Sequence, residues 1–187
     1  EKYKFLDFGS GSAHISRTFK TSLGHKAEIY CLEGNEKCRS FYPQWGLIPI
    51  KDLKDIKGNI DIIYMIEVIE HLRDPRETLL NLKEIMGKNS VLFLSTPHGF
   101  HIEKFTNAYD NPAHIHFFTP ESLNNLLTSV GFKKLPFHSF PEMYPLREKQ
   151  SFVKEIIYNI KVFAKKIFKN TQKKYLFHLV GFTKIEM

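Results

Sequence analysis

The sequence lacks the features that mark membrane-spanning, secreted and zinc-binding proteins. No run of about 18 uncharged apolar residues is present, and a membrane-spanning helix needs a run of that length. The two cysteines, Cys31 and Cys38, are too few for a disulfide framework and do not have the spacing of a zinc site. No charged-then-apolar leader opens the chain. We therefore expect a globular protein in the reducing environment of the cytoplasm.

Most of the sequence also lacks any excess of charge. The chain has a net charge of +7, and residues 145–175, which hold nine Lys or Arg and two acidic residues, account for all of it. Within this segment, 149–170 has apolar residues at helical spacing and most of its lysines on the opposite face. Such a helix either packs on its own domain or lies peripherally on a membrane surface. In both cases the lysines would attract an anionic acceptor, such as a phosphorylated or lipid-linked sugar.

What the sequence does contain is short apolar segments that alternate with helical patterns, as in βαβ units around a parallel sheet. The predicted strands are 2–8, 27–33, 47–53, 60–66, 90–97, 133–140 and 175–185. The predicted helices between them are 12–24, 35–46, 74–87 and 119–132. We therefore expect an α/β fold with a Rossmann-like, doubly wound, mostly parallel seven-stranded sheet and an antiparallel last strand. The 187 residues fit one domain, with 141–175 as a helical insertion before the last strand.

The most informative motif is FLDFGSGSAHIS at 5–16, where a strand ends in an acid and enters a glycine turn that opens a helix. Gly9 and Gly11 let the backbone approach a ligand closely, and the amides at such a helix start suit a carboxylate. A second acid, Glu33, ends the next strand, where an acid can accept both hydroxyls of a ribose. A glycine turn alone also occurs as a plain tight turn. The order strand, acid, glycine turn, helix, strand, acid predicts a nucleotide-like cofactor.

Five segments together resemble a known family: LDFGSGSA, CLEG, DIIYMIEVIEHLRDP, LFLSTP and HFFTPESLNNLLTSVGF. They are similar in order and spacing to class I S-adenosylmethionine-dependent methyltransferases. Within that family they resemble the ubiquinone-pathway and polysaccharide-cluster O-methyltransferases. The resemblance covers about residues 4–140, and it is what selects a methyl donor over a nicotinamide cofactor.

The resemblance implies a set of cofactor contacts. The methionine end would lie at Asp7, Gly9, Ser10 and Gly11. The ribose would lie at Glu33 and Gly34, the adenine at Asp52 and Leu53, and the sulfonium at Met65, Ile66 and Glu67.

Two features depart from the family pattern. The third glycine of the family turn is replaced by Ala13, a small residue that we expect to fit. Family members usually carry one or two cap helices before the first strand, whereas this sequence begins on that strand. We therefore expect it to be a piece of a longer protein.

Candidate catalytic residues cluster after the fourth predicted strand. EVIEHL places Glu67, Glu70 and His71 at i, i+3 and i+4, on one face if the segment is helical. His71 is a candidate general base, because histidine exchanges protons near neutral pH. The alternative is that both acids favour a helix start and His71 is structural. The loop after the fifth strand supplies further candidates, of which His114 is favoured: His98, His101, His114 and His116.

The same residues predict a divalent-metal site. The ubiquinone-pathway enzymes and the small-RNA methyltransferases, which the sequence also resembles, use an acid–acid–histidine cluster, which here corresponds to Glu67, Glu70, His71 and His114. Neighbouring carboxylates repel each other, so a cation offsets a real cost, and these ligand types suit Mg²⁺ or Mn²⁺. The alternative is a metal-free site with a histidine base.

Three functions remain open from the sequence. The first is O-methylation of a small molecule or glycan, because no Asn/Asp-Pro-Pro-aromatic motif of amino-methylating DNA enzymes is present. The second is RNA 2′-O-methylation, since EVIEH and LSTP also resemble small-RNA methyltransferases. We do not expect nucleic-acid binding, because no RNA-binding module accompanies the domain. The third is a cofactor-binding or degenerate scaffold without catalysis.

Overall fold

The protein is described by a computed structural model that covers residues 2–97 and 113–135, together with the backbone of 177–184. All of these residues belong to one compact unit. The predicted helix at 149–170, the insertion at 141–175 and residues 136–140 of the sixth predicted strand lie outside the described residues. The single-domain arrangement therefore stays a prediction.

The described residues contain the expected seven-stranded sheet, in the order β3-β2-β1-β4-β5-β7-β6. The strands are β1 (Tyr3–Phe8), β2 (Ala27–Leu32), β3 (Ile48–Ile50), β4 (Ile60–Ile66), β5 (Met86–Pro97), β6 (Phe132–Lys134) and β7 (Phe177–Lys184). Strands β1 to β5 pair in parallel, whereas β7 runs antiparallel to both β5 and β6. The predicted Rossmann-like fold with an antiparallel last strand is confirmed. Since β1 lies between β2 and β4, the chain order reverses there, and ligands of open α/β sheets bind at such points.

The described residues contain four α-helices. They are α1 (His14–Leu23), α2 (Glu36–Arg39), α3 (Pro75–Glu84) and α4 (Pro120–Ser129). The predicted start of α4 is confirmed, because the side chain of Thr119 caps the helix and Pro120 is its first residue. None of the described helices has the length and apolar composition needed to cross a bilayer.

Two helix predictions were wrong in extent. The single helix predicted at 35–46 is instead α2 followed by a 3₁₀ turn, Tyr42–Trp45, because Pro43 has no amide to continue an α-helix. The helix predicted at 74–87 ends at Glu84, and Gly87 belongs to β5. The reason is sheet pairing, since Met86 already pairs with Ile60 of β4.

Both faces of the sheet are covered. Leu6 of β1 and Met65 of β4 point to one face, where they join the hydrophobic core of α3 and α4. Alternate residues point to the face of α1, where Phe19 stacks on Phe5 and meets Tyr64 edge-on. The parallel pairing of β1 with β2 and β4 places the carboxyl ends of these three strands side by side at one edge of the sheet.

Candidate active site

The chain between β1 and α1 turns through three residues with positive φ angles, Gly9 (79°), Gly11 (50°) and Ala13 (53°). The amide of Gly9 donates to the Leu32 carbonyl at 2.9 Å. A methyl group on Gly9 would lie 2.5 Å from Cγ2 of Val68, whereas one on Gly11 would meet no described atom within 4 Å. The turn is therefore closely packed at Gly9 and open at Gly11, where a ligand has room to approach the backbone.

Asp7 lies at the end of β1 with its side chain buried under α1. Its Oδ2 atom accepts a hydrogen bond of 2.7 Å from the Ser16 hydroxyl, which lies 2.6 Å from the Tyr64 hydroxyl. Burial raises the pKa of Asp7 to about 7, the Ser16 hydrogen bond opposes this, and the charge of Glu33 adds to it. The hydroxyl of Ser10 donates to the Asp7 carbonyl at 2.9 Å.

Glu33 follows β2, and its carboxylate lies against the glycine turn. Its Oε2 atom accepts from the amide of Gly11 at 2.7 Å, and its Oε1 atom accepts from the amide of Asn35 at 2.8 Å. The Arg39 guanidinium donates to the carbonyls of Glu33 and Gly34. Two backbone amides thus orient the carboxylate, and each oxygen keeps a second lone pair for a ligand hydroxyl.

Sequence reasoning missed three residues of this region, Ser16, Arg39 and Tyr42. Tyr42 is fully buried and donates to the Gly11 carbonyl at 2.6 Å, so it stabilises the glycine turn. Ser16 is also fully buried on α1, one turn before Phe19. Helical spacing predicts an apolar residue at position 16, so the serine found there was the sequence signal of a buried polar contact.

The residues predicted near the adenine and the sulfonium differ in exposure. Asp52 is exposed and accepts from the amide of Lys54, so it caps the short 3₁₀ helix that Leu53 opens. Leu53 packs partly against the core. Met65 is fully buried, whereas Ile66 is half-buried, so Ile66 is the more exposed of the pair at the end of β4.

Glu67 has a strained backbone at the end of β4. Its φ angle is 55°, a left-handed value that costs a non-glycine residue about 1–2 kcal/mol. Its Oε1 atom accepts from the Ser95 hydroxyl at 2.5 Å. Burial raises the pKa of Glu67 to about 8, Ser95 opposes the shift, and the charge of Glu70 adds to it. Strain of this kind clusters at functional sites.

Glu70, His71 and His114 form a compact group. A carboxylate oxygen of Glu70 and one ring nitrogen from each histidine lie within 4.8 Å of one another. The Oε2 atom of Glu70 accepts from the Thr96 hydroxyl at 3.0 Å, whereas its Oε1 atom is buried without a hydrogen-bond partner among the described residues. Burial raises the pKa of Glu70. Nδ1 of His71 lies 2.7 Å from the Ala113 carbonyl and donates to it, so Nε2 is the basic atom, 3.9 Å from Oε1 of Glu70.

The group differs from the predicted four-residue cluster. Only Ile69–His71 form a helical turn, so Glu67 is not on one helix face with Glu70 and His71, and it is not part of the compact group. His116 has a structural contact, since its Nε2 atom lies 2.8 Å from the Leu72 carbonyl. The other loop candidates, at 98 and 101, lie outside the described residues.

The family comparison gives one extended match. Residues 1–136 match the model of a family described as a methyltransferase domain. None of the curated proteins matches the chain.

Several solved structures have a fold similar to that of this chain. The plantazolicin methyltransferase BamL, solved with a triazolic desmethylPZN analog and SAH, has a TM-score of 0.71 at 15% identity, covering 97% of this chain and 76% of BamL. A SAM-dependent methyltransferase from Archaeoglobus fulgidus has a TM-score of 0.60 at 21% identity, covering 98% of this chain and 86% of its own. YcgJ from Bacillus subtilis has a TM-score of 0.64 at 15% identity, covering 100% of this chain and 93% of its own. At these identities the likeness shows the fold alone.

Proposed function

The chain belongs to the class I S-adenosylmethionine-dependent methyltransferases, and we propose that it methylates an oxygen atom of a small molecule or glycan. The observation that carries this proposal is the contact of Val68 with Gly9. Val68 lies between Glu67 and the Ile69–His71 turn, so this contact joins the histidine group to the glycine turn. A methyl donor at the turn and an acceptor at the histidines would then meet.

The residues around the glycine turn fit the cofactor. Gly11 faces open space, and within the described residues α1 begins without a side-chain cap or an acid in its first turn, so its amides suit a carboxylate. The oriented carboxylate of Glu33 suits the two hydroxyls of a ribose. When bound, the cofactor supplies an activated methyl group. The protein then has to align the acceptor and remove its proton.

His71 is the proposed general base. Its Nδ1 atom is held by the Ala113 carbonyl, which fixes the ring and leaves Nε2 able to take a proton. An oxygen acceptor must lose a proton as it is methylated, so a fixed imidazole supports O-methylation. His114 is the second candidate, because its ring centroid lies 4.6 Å from that of His71.

As the alternative to a histidine base, we propose that Glu70, His71 and His114 hold Mg²⁺ or Mn²⁺, with Nε2 of His71 bound to the ion instead of taking a proton. The unpartnered oxygen of Glu70 and the two ring nitrogens fit such an ion, because a cation would give the buried oxygen the partner it lacks. A divalent ion there would lower the pKa of an acceptor hydroxyl. Excess chelator should then abolish methyl transfer, and Mg²⁺ or Mn²⁺ should restore it. Activity that survives exhaustive chelation would leave His71 or His114 as an unaided base.

The basic segment 145–175 bears on the acceptor and on the location of the protein. We propose that the enzyme works in the cytoplasm and that this segment attracts an anionic or lipid-linked acceptor. If the segment contacts a membrane surface, the protein should sediment with anionic liposomes, and less so at high salt. Absence of sedimentation at low and high salt alike would contradict membrane contact.

The test of the function is a methyl-transfer screen of the protein with quinol-like phenols, sugars and short RNAs. We expect a methyl ether on a phenol or sugar, and a loss of about 10²- to 10⁴-fold in kcat for His71→Ala. His25→Ala, at an exposed histidine after α1, is the control and should keep full activity. Methylation restricted to nitrogen or to RNA would contradict the proposal. A protein that does not bind S-adenosylmethionine at all would be a scaffold.

A further inference from the structure

A buried hydrogen-bond network connects four elements beneath the glycine turn. Tyr64 of β4, Ser16 of α1 and Asp7 of β1 form a chain with links of 2.6 and 2.7 Å. The Sγ atom of Cys31 on β2 lies 3.4 Å from the Ser16 hydroxyl. All four side chains are buried, and the cofactor contacts expected of this fold explain only Asp7.

The direction of these hydrogen bonds follows from counting protons. An ionised carboxyl can only accept, so Ser16 donates its single proton to Asp7, and Tyr64 must donate to Ser16. Burial, with the nearby charge of Asp7, raises the pKa of Tyr64 well above its usual value, so its hydroxyl keeps the proton it donates. Burial likewise raises the pKa of Cys31 to about 12, so the thiol adds no charge.

The carboxyl of Asp7 has no cationic partner among the described residues. The titratable and polar groups that interact with it are the hydroxyls of Ser16, Tyr64 and Tyr42, the Cys31 thiol and the carboxyl of Glu33. Two hydroxyls in series therefore stabilise the carboxylate by hydrogen bonding, where other proteins place a lysine or arginine. Because hydroxyls carry no charge, the negative charge of the carboxyl stays uncompensated.

We propose that Ser16 and Tyr64 are positioning residues that hold Asp7 as an anion for the amino group at the methionine end of the cofactor. This inference rests on the proposed function, since it takes the methionine end to lie at the turn after β1. The ammonium group of the cofactor would supply the missing positive charge, and neither hydroxyl would touch the cofactor itself.

Binding should then depend on pH. The pKa of Asp7 is raised by burial to about 7, so the carboxyl changes from neutral to ionised across the neutral range. The amino group of S-adenosylhomocysteine stays protonated there, so its affinity should rise with pH and level off once Asp7 is ionised. Removal of the Tyr64 hydroxyl weakens the donor to Asp7 and should move the midpoint of this rise to higher pH.

The experiment is calorimetric titration of the full chain with S-adenosylhomocysteine between pH 5.5 and 8.5. Tyr64→Phe should bind about three- to tenfold more weakly than the wild type at pH 6.5 and equally well at pH 8.5, because a shift of up to one pKa unit changes the ionised fraction up to tenfold. Ser16→Ala should show a larger shift in the same direction. The matched controls are Tyr30→Phe on β2 and Thr18→Ala on α1, whose hydroxyls bond to Glu28 and to the His14 carbonyl. Both controls should follow the wild-type curve.

5′-Methylthioadenosine, which lacks the amino and carboxyl groups of the methionine end, separates the possible failures. It should bind all variants with the same affinity and no rise with pH. A Tyr64→Phe curve that coincides with the wild-type curve, or that is lower by one factor at every pH, would overturn the positioning role while the proposed function stands. Absence of binding of both ligands to the wild type would overturn the proposed function as well.

Discussion

The two acidic regions at the carboxyl edge of the sheet satisfy their carboxyl groups in different ways. After β1 and β2, Asp7 accepts from a hydroxyl, and Glu33 accepts from two backbone amides. After β4, Glu70 has one oxygen bonded to Thr96 and one that is buried without a partner among the described residues. In the first region both carboxyl groups accept hydrogen bonds and only the charge of Asp7 lacks a described cationic partner, whereas in the second region one buried carboxylate oxygen has no hydrogen-bond partner among the described residues.

Backbone strain follows the same division. Among the described residues, each region has one non-glycine residue with positive φ, Ala13 in the first and Glu67 in the second. Ala13 takes a position where the family has glycine, whereas Glu67 is a large residue held in place by the Ser95 hydroxyl. We infer that the first region is preformed for the cofactor. In the second region, we expect the ligand to give the buried oxygen of Glu70 the partner it lacks.

The largest effect is expected where the two regions touch. Gly9→Ala should lower the free energy of unfolding by about 3 kcal/mol, because it adds a methyl group against Val68 to the cost of a positive φ angle. Gly11→Ala has the second cost alone and should lose about 1 kcal/mol. Urea unfolding of both variants checks this. Equal losses would mean that Val68 does not pack tightly on the turn and would separate the two regions.

The next largest effect on stability is expected at Asp7, the buried acid of the first region. The folded protein binds the Asp7 proton more tightly than the unfolded chain does, since burial raises its pKa from 3.8 to about 7. The resulting stabilisation is complete below the lower value and is lost as pH rises through about 7. Asp7→Asn should therefore be more stable than the wild type at pH 8, by on the order of 2 kcal/mol. The check is thermal unfolding of both proteins at pH 5 and pH 8. A difference in stability between them that is the same at both pH values would contradict the prediction.

A smaller gain is expected in the second region. Glu70→Gln replaces a carboxylate that has one unpartnered buried oxygen with a neutral amide and should raise the free energy of unfolding by about 1 kcal/mol, while methyl transfer falls sharply. The measurements are urea unfolding and initial rates of the same preparation. A variant that loses stability and keeps its activity would show that Glu70 is a structural residue.

The smallest effect is expected at Ala13. Ala13→Gly removes strain of about 1 kcal/mol and also removes a fully buried methyl group worth about 0.8 kcal/mol. The free energy of unfolding should therefore change by less than about 0.5 kcal/mol. A large change in urea unfolding, in either direction, would show that the turn is not as relaxed as the comparison of the two regions requires.

What the sequence could predict depended on how locally each feature is determined. The glycine turn, its flanking acids and the start of α4 were predicted because neighbouring residues decide them. The end of α3 was missed because the pairing of Met86 with Ile60 competes with the helix. Glu67, whose backbone is left-handed, is hydrogen-bonded through both its amide and its carboxylate to Ser95, 28 residues away.

The buried hydrogen-bond network of Tyr64, Ser16 and Asp7 was missed for the same reason. Tyr64 and Ser16 are 48 residues apart in sequence, and they meet only because β4 pairs with β1 beneath α1. The unpartnered oxygen of Glu70 is equally a property of the folded state, since it depends on what surrounds the carboxyl.

The central claim is that the first region binds the cofactor and the second serves the acceptor. Its most direct test is titration of S-adenosylhomocysteine into the wild type, Glu33→Ala and Glu70→Gln at pH 8. We expect one binding site in the wild type, an affinity about tenfold to a hundredfold lower in Glu33→Ala, and an affinity within about twofold of wild type in Glu70→Gln. Equal losses in the two variants, or full affinity in Glu33→Ala, would contradict the account.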